Sequence, residues 1–200
     1  RKRGHRGVKS LSNVGAERLG DALGESIDDG AKLSIISSYF TVFAYGELKE
    51  ELSKVDEVRF LFSEPTFIKR MADSKEPREF EVARRAREVG VGGSGLELTL
   101  RNNLNQRALA RECAEWIREK GVFKSAKTSG AIQPGGTYVV ENPSGDDHAF
   151  MGAAANFTQE GLGYERRPGT VTCVSHFENA TEAVGLKMMF ESVWDNPAMV

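Results

Sequence analysis

The order in which the hydrophobic spacing changes over the first sixty residues constrains this chain more than any other feature. Between Gly15 and Ile27, Leu19, Leu23 and Ile27 recur every four residues, the spacing of one helix face, and Gly30 supplies a stop. Ala31 to Val42 follows, and its Leu33, Ile35, Ile36 and Phe40 suit a buried strand. Phe43 to Val55 returns to helical spacing with Leu48, Leu52 and Val55. Glu57 to Phe62 places Val58, Phe60 and Phe62 on one face and Leu61 on the other, as a second strand does. Helix, strand, helix, strand implies a βαβ unit, because a helical crossover returns the chain to lay a parallel strand beside the first. The predicted fold is α/β, with a central mixed, largely parallel sheet and helices on both faces.

The rest of the chain continues the alternation less clearly. Glu79 to Val89 has helical character and many arginines. Gly90-Val91-Gly92-Gly93-Ser94-Gly95 matches the dinucleotide pattern GxGxxG, which cradles a pyrophosphate only between a preceding strand and a following helix. Here the order reads as reversed, with strand-like Leu96, Leu98 and Leu100 after the glycines, so a loop is expected. Leu104 to Lys120 is the clearest helix: Leu109, Cys113, Trp116 and Ile117 share a face and Gly121 is placed to cap it. Val122–Lys127, Thr137–Val140, His148–Ala153 and Thr170–Phe177 are strand candidates. Thr181 to Trp194 closes as an amphipathic helix packing through Val184, Leu186, Met189, Phe190, Val193 and Trp194.

Two hundred residues suffice for one domain with a real core, and a formal charge of −2 does not advertise a polyanion partner. Charge is uneven, however. Arg1, Lys2, Arg3, His5, Arg6 and Lys9 make residues 1–14 a basic segment, read either as a phosphate contact or as a mobile tail before a single domain over 15–200. Cys113 and Cys173 read as buried thiols rather than a bridge, and no Cys/His spacing suggests zinc, so neither metal nor cofactor is expected. No stretch has the length of a membrane span and no signal peptide is visible, so no membrane partner is expected and the default setting is cytoplasmic. A first residue other than methionine suggests a piece of a longer protein.

Two segments carry residue types suited to phosphodiester chemistry: Phe123-Lys124-Ser125-Ala126-Lys127, and Gly152-Ala153-Ala154-Ala155-Asn156-Phe157-Thr158 followed by Gly161-Leu162. The second resembles the phospholipase D superfamily signature, in which Gly-Ser-Ala-Asn-Phe-Thr precedes Gly-Leu and a His-x-Lys pair lies on the preceding strand. The resemblance implies a phospholipase D-like fold and assigns Lys127 to the lysine, Asn156 to the asparagine and Ser125 to the histidine position; Ala153 or Ala154 stands at the serine. The longer interval between Lys127 and Asn156 would hold a hairpin built on Gly135-Gly136 and Asn142-Pro143-Ser144-Gly145. Hydrolysis needs a nucleophile, a proton for the leaving oxygen and donors around the phosphoryl oxygens. Serine without a base is a poor nucleophile, so Ser125 implies that chemistry is lost before binding. His148 lies eight residues before Asn156 and has Phe150 two places on, the wrong arrangement for the pair, and reads as a strand-end residue. His176 reads as structural.

A longer resemblance runs from Glu97 to Ile117, most specifically in Arg111-Glu112-Cys113-Ala114-Glu115-Trp116-Ile117. It includes Gly163-Tyr164-Glu165-Arg166 and Phe190-Glu191-Ser192-Val193-Trp194-Asp195-Asn196. These stretches are similar to the N-terminal region of large bacterial Swi/Snf-type superfamily 2 helicases. The resemblance implies an accessory, catalytically degenerate domain ahead of a C-terminal helicase motor, serving DNA contact, self-association as a homodimer, or both. No Walker A sequence is present, so ATP binding would lie elsewhere. Lys124, Arg101, Arg107, Arg111, Arg166 and Arg167 are the candidate phosphate contacts, with Arg118 nearby; the alternative is a solvated face paired with Glu112, Glu115 and Glu119. The competing functional expectations are a metal-independent phosphodiesterase or nuclease using Lys127 and Asn156, and a purely architectural protein-interaction domain.

Overall fold

A computed structural model describes residues 7–64, 95–166 and 172–200, without the side chains of 95–106. In chain order the elements are β1 (Val8–Leu11), α1 (Leu19–Glu25), β2 (Lys32–Ser37), α2 (Val42–Ser53), β3 (Glu57–Phe62), α3 (Gly95–Lys120), β4 (Gly121–Ser125), β5 (Gly136–Glu141), β6 (His148–Gly152), β7 (Val174–Phe177) and α4 (Ala180–Trp194). Local chemistry starts two of the helices. Thr41 accepts from the Ala44 amide at 3.2 Å and Asn179 from the Glu182 amide at 3.0 Å, each satisfying a donor that the first turn leaves orphaned.

The strands form one seven-stranded sheet in the order β1-β7-β6-β5-β2-β3-β4. β2, β3 and β4 run parallel, as the helix–strand alternation predicts. The remaining pairings, β1–β7, β7–β6, β6–β5 and β5–β2, are antiparallel. The sheet is therefore mixed but mostly antiparallel, a correction to the largely parallel sheet expected from sequence. The reason lies in the connections. β5 and β6 are joined by the turn 142–147, with Gly145 at φ +79°, and a turn that short permits only an antiparallel return. Leu96, Leu98 and Leu100 are also helical rather than extended, lying inside α3. Leu96, Leu100 and Leu104 form an i, i+4 series that a five-residue alternation conceals. A helix thus does follow the glycine run; residues 90–94 themselves, and the helix expected over 79–89, lie outside the described residues. Val8–Leu11, within the basic segment, pairs with β7, setting Lys9 opposite His176.

Helices cover both faces. Leu33, Ile35, Val58 and Phe60 point into a core with Leu19, Leu23, Leu48, Leu52 and Trp116 from α1, α2 and α3. On the opposite face Ile36, Leu61 and Ala126 meet Phe190 and Trp194 of α4, and Val139 and Ala149 meet Ala183. Arg59 pins α4 to the sheet: its guanidinium donates to Ser34 and, at 2.6 and 2.9 Å, to both oxygens of Glu191, and it stacks over Phe190 and Trp194. That bidentate pairing holds the Glu191 carboxyl below its ordinary range. Among the described residues no helix is long and apolar enough to cross a membrane.

Candidate functional site

Asn156 occupies a loop that the glycines around it allow to fold back on the sheet. A side chain at Gly136 would meet the Ala155 carbonyl at 1.5 Å, and one at Gly161 the Asn156 carbonyl at 2.0 Å, so both positions admit only hydrogen. The loop is fixed from below by the Tyr138 hydroxyl, which donates to the Ala155 carbonyl at 2.7 Å. Burial of that phenol raises its pKa, so it stays protonated and keeps donating. Phe157 is fully buried and stacks on Phe40 at 5.1 Å, while the Thr41 amide donates to the Phe157 carbonyl. Asn156, between buried Ala155 and Phe157, is thereby held at the carboxyl end of β2.

There its oxygen is fully committed to structure. The Ser38 amide donates to Oδ1 at 3.0 Å, and the Ser37 hydroxyl lies 3.1 Å from the same atom. Because a backbone N–H points at it, that atom is the oxygen, and Nδ2 faces the other way. Ser37 also lies 2.7 Å from the Tyr39 carbonyl and accepts from the Phe157 amide at 3.0 Å, so its single proton serves either the carbonyl or Asn156. Beside it the Ser38 and Ser63 hydroxyls pair at 2.6 Å. Asn156, Ser38 and Ser63 thus gather outside the carboxyl ends of β2 and β3, where open α/β sheets bind their ligands. Ser37, Ser38 and Ser63 were not singled out by sequence reasoning. The available signal was the polar pair Ser37-Ser38 inside the strand expected over Ala31 to Val42, which the structure ends at Ser37, and Ser63 directly after the strand expected over Glu57 to Phe62.

The remaining sequence candidates converge less. Ser125 lies in the same row as Ser37, across Phe62, and so reaches the same sheet end two strands away. At about 4.8 Å per strand that is roughly 10 Å, and its hydroxyl bonds instead to the neighbouring Ala126 carbonyl. Lys127 is exposed; its ammonium donates to the Pro197 carbonyl and its amide to the Met199 carbonyl at 2.8 Å. Lys124 sits on the α4 side of β4, over the Trp194 ring, and donates to the Trp194 carbonyl at 2.6 Å. The strand directly before β6 in the chain is β5, which begins at Gly136, so the Ser125-x-Lys127 segment is not on the strand that hairpins into the Asn156 loop. Arg107, Arg111 and Arg118 are exposed on α3 and Arg166 is exposed after the loop. Arg101 lies in α3 at a position whose side chain is not described, and Arg167 lies outside the described residues. Of the acids expected to pair on that helix, Glu112 bonds Lys49 of α2 at 3.2 Å.

A second polar cluster forms where the sheet is antiparallel. His148 of β6 and His176 of β7 approach through Nδ1 and Nε2 at 3.1 Å. His176 stacks on Phe150 with ring centroids 4.1 Å apart. Burial, His148 and Lys9 lower its pKa to about 4, so it is neutral at neutral pH. The pair lines an open cleft of about 330 Å³ together with Glu17, Asp21, Glu25 and Glu178. Among the described residues no group of three or more His, Cys, Asp or Glu side chains forms a metal cage.

No protein family matches this chain, and no curated protein does. A solved structure similar to it is that of TrmBL2, described as an archaeal chromatin protein that shows a novel mode of DNA binding. The two share 7% identity at a TM-score of 0.45, over 97% of this chain and 54% of that one, so this chain spans about half the length of that neighbour.

Proposed function

We propose that this chain is a phospholipase D-like accessory domain of a larger DNA-handling protein, and that its sheet end holds a phosphodiester without cutting it. The observation that carries the reading is Asn156. Its oxygen accepts from the Ser38 amide, so a ligand would meet the Nδ2 donors of this half-buried side chain beside the Ser38 hydroxyl. Amide and hydroxyl donors at the carboxyl ends of parallel strands suit phosphoryl oxygens. The machinery for hydrolysis is not assembled with them. Ser125 stands at the matched histidine position, and the described histidines sit at the far end of β6 and on β7, away from Asn156. Exposed Arg107, Arg111 and Arg166 would track the backbone, with Arg101, Arg167, Lys124 and Lys127 as further contacts. Attachment to a helicase motor and self-association as a homodimer belong to the same proposal.

The chain is titrated against labelled single- and double-stranded DNA in chelator. Binding that weakens steeply with salt, and loses about one unit of log–log salt slope for each of Arg107→Ala and Arg111→Ala, is expected, with no cleavage. Undetectable binding at low salt would favour the architectural alternative. Cleavage abolished by Lys127→Ala would replace the accessory reading with the enzymatic one.

A further inference from the structure

We propose that His148 and His176 form a two-imidazole chelate for a borderline transition-metal ion such as Zn2+, with solvent in the cleft completing its coordination. The site stands apart from the Asn156 loop and does not rest on the DNA-binding reading.

Three features of the geometry point to it. The first is the bite. His148 Nδ1 and His176 Nε2 lie 3.1 Å apart. Two nitrogens bound to one tetrahedral Zn2+ at about 2.0–2.1 Å stand roughly 3.3 Å apart, so the separation changes little while each ring turns its lone pair off the N···N line onto the ion. The second is the outer side of each ring. His148 Nε2 faces the Asp146 carboxylate at 3.8 Å, and His176 Nδ1 faces Glu178 at 3.9 Å. Metal-bound imidazoles carry their other nitrogen as an N–H turned to a carboxylate in the same way. The third is placement. The rings project from adjacent antiparallel strands, and His176 is 8% exposed and seated on Phe150, so the pair is preorganised. The cleft they line carries Glu17, Asp21, Glu25 and Glu178; among the described residues Lys9 lines it as well, and Arg18 pairs with Asp21 at 3.7 Å.

When both rings are neutral and no metal is bound, one proton lies along the N···N line. When the ion enters, that proton leaves the inward nitrogen and the same ring carries one on its outward nitrogen, where Asp146 or Glu178 receives the hydrogen bond. Both rings remain neutral, so the tautomeric exchange needs no net proton from solvent. Nitrogen ligands select Zn2+, Ni2+ or Cu2+ over Mg2+, which requires oxygen and near-octahedral geometry.

The test is a titration of the metal-stripped chain with Zn2+ against a chromophoric chelator, repeated with Mg2+. One Zn2+ per chain is expected, with Mg2+ failing to compete. His148→Ala and His176→Ala should each weaken binding at least 100-fold, and Glu178→Gln about 10–100-fold, as for outer-shell partners elsewhere. Since His176 also packs on Phe150, thermal melting accompanies each variant; His148→Ala and Glu178→Gln decide the matter if His176→Ala does not fold. No saturable Zn2+ binding, or binding that neither His148→Ala nor Glu178→Gln weakens, would overturn the proposal.

Discussion

The two polar clusters of this sheet differ in what built them. The Asn156 end belongs to the parallel strands and is made of amides and hydroxyls over an aromatic floor; the histidine cleft belongs to the antiparallel strands and is made of imidazoles and carboxylates. Under the two proposals, the first would offer amide and hydroxyl donors to an anion and the second would offer imidazole lone pairs to a metal ion. The two clusters differ in composition because strand direction decides which side chains share an end. Parallel strands bring several carboxyl ends together, whereas a hairpin pair brings the start of one strand beside the end of the next.

The floor under the Asn156 end should give the largest effect. Phe60 is fully buried and packs against Phe40, Phe62, Phe123 and Phe157 at centroid distances of 4.6 to 6.0 Å. Phe60→Ala should cost about 3–5 kcal/mol in urea unfolding. If both clusters belong to one cooperative unit, the sheet end and the histidine cleft should melt together. Separate transitions, read by Trp116 fluorescence and by imidazole resonances, would break the comparison into two independent units.

Arg59 comes next, since it couples the parallel strands to α4, which also covers the antiparallel half. Its guanidinium is 7% exposed, and Arg59→Met removes the partner of Glu191 and one partner of Glu141, whose other partner is Lys187. About 1–3 kcal/mol should be lost, because Glu141 Oε1, which makes no hydrogen bond among the described residues, also loses its 3.5 Å ion pair with the guanidinium. The pH dependence has a fixed sign. The hydrogen bond from Arg59 lowers the Glu191 pKa in the native state, so the unfolded chain takes up the proton first as pH falls. That contribution is complete at neutral pH and disappears as pH drops below the ordinary carboxylate range toward the native value. A urea midpoint measured against pH should lose this acid-side decline in Arg59→Met; an unchanged profile would remove Arg59 from the role of tie.

Sequence carried the two regions unequally. Glu57–Phe62 is a strand over the same residues as expected, and Thr181–Trp194 differs from α4 by one residue, because apolar spacing there is unambiguous. Asn156 was singled out because the contiguous stretch from Gly152 to Leu162 resembles the phospholipase D signature. Ser37, Ser38 and Ser63 were not, because their roles arise only once β2 and β3 align in register. His148 and His176 are 28 residues apart and meet through the β6–β7 pairing, which no local spacing encodes. The antiparallel half was read as more of the same α/β alternation because its strands are short and their turns carry the topology.

The smallest stability effect should come from Asn156→Asp, and that makes it the sharpest probe of the sheet end. Aspartate keeps an oxygen where Oδ1 accepts from the Ser38 amide, so the local fold is retained and stability should stay within about 0.5 kcal/mol of the parent. Asn156→Ala removes that acceptor and leaves the Ser38 amide unanswered, at a cost of about 1–2 kcal/mol. For DNA the order reverses in meaning. Aspartate replaces the two Nδ2 donors with a negative charge, and a phosphate is then repelled rather than held. DNA affinity should therefore fall further in Asn156→Asp than in Asn156→Ala, although Asn156→Asp is the more stable variant. Equal losses in the two variants would mean that Asn156 only shapes the loop, and that the anion is held by the exposed arginines of α3 instead.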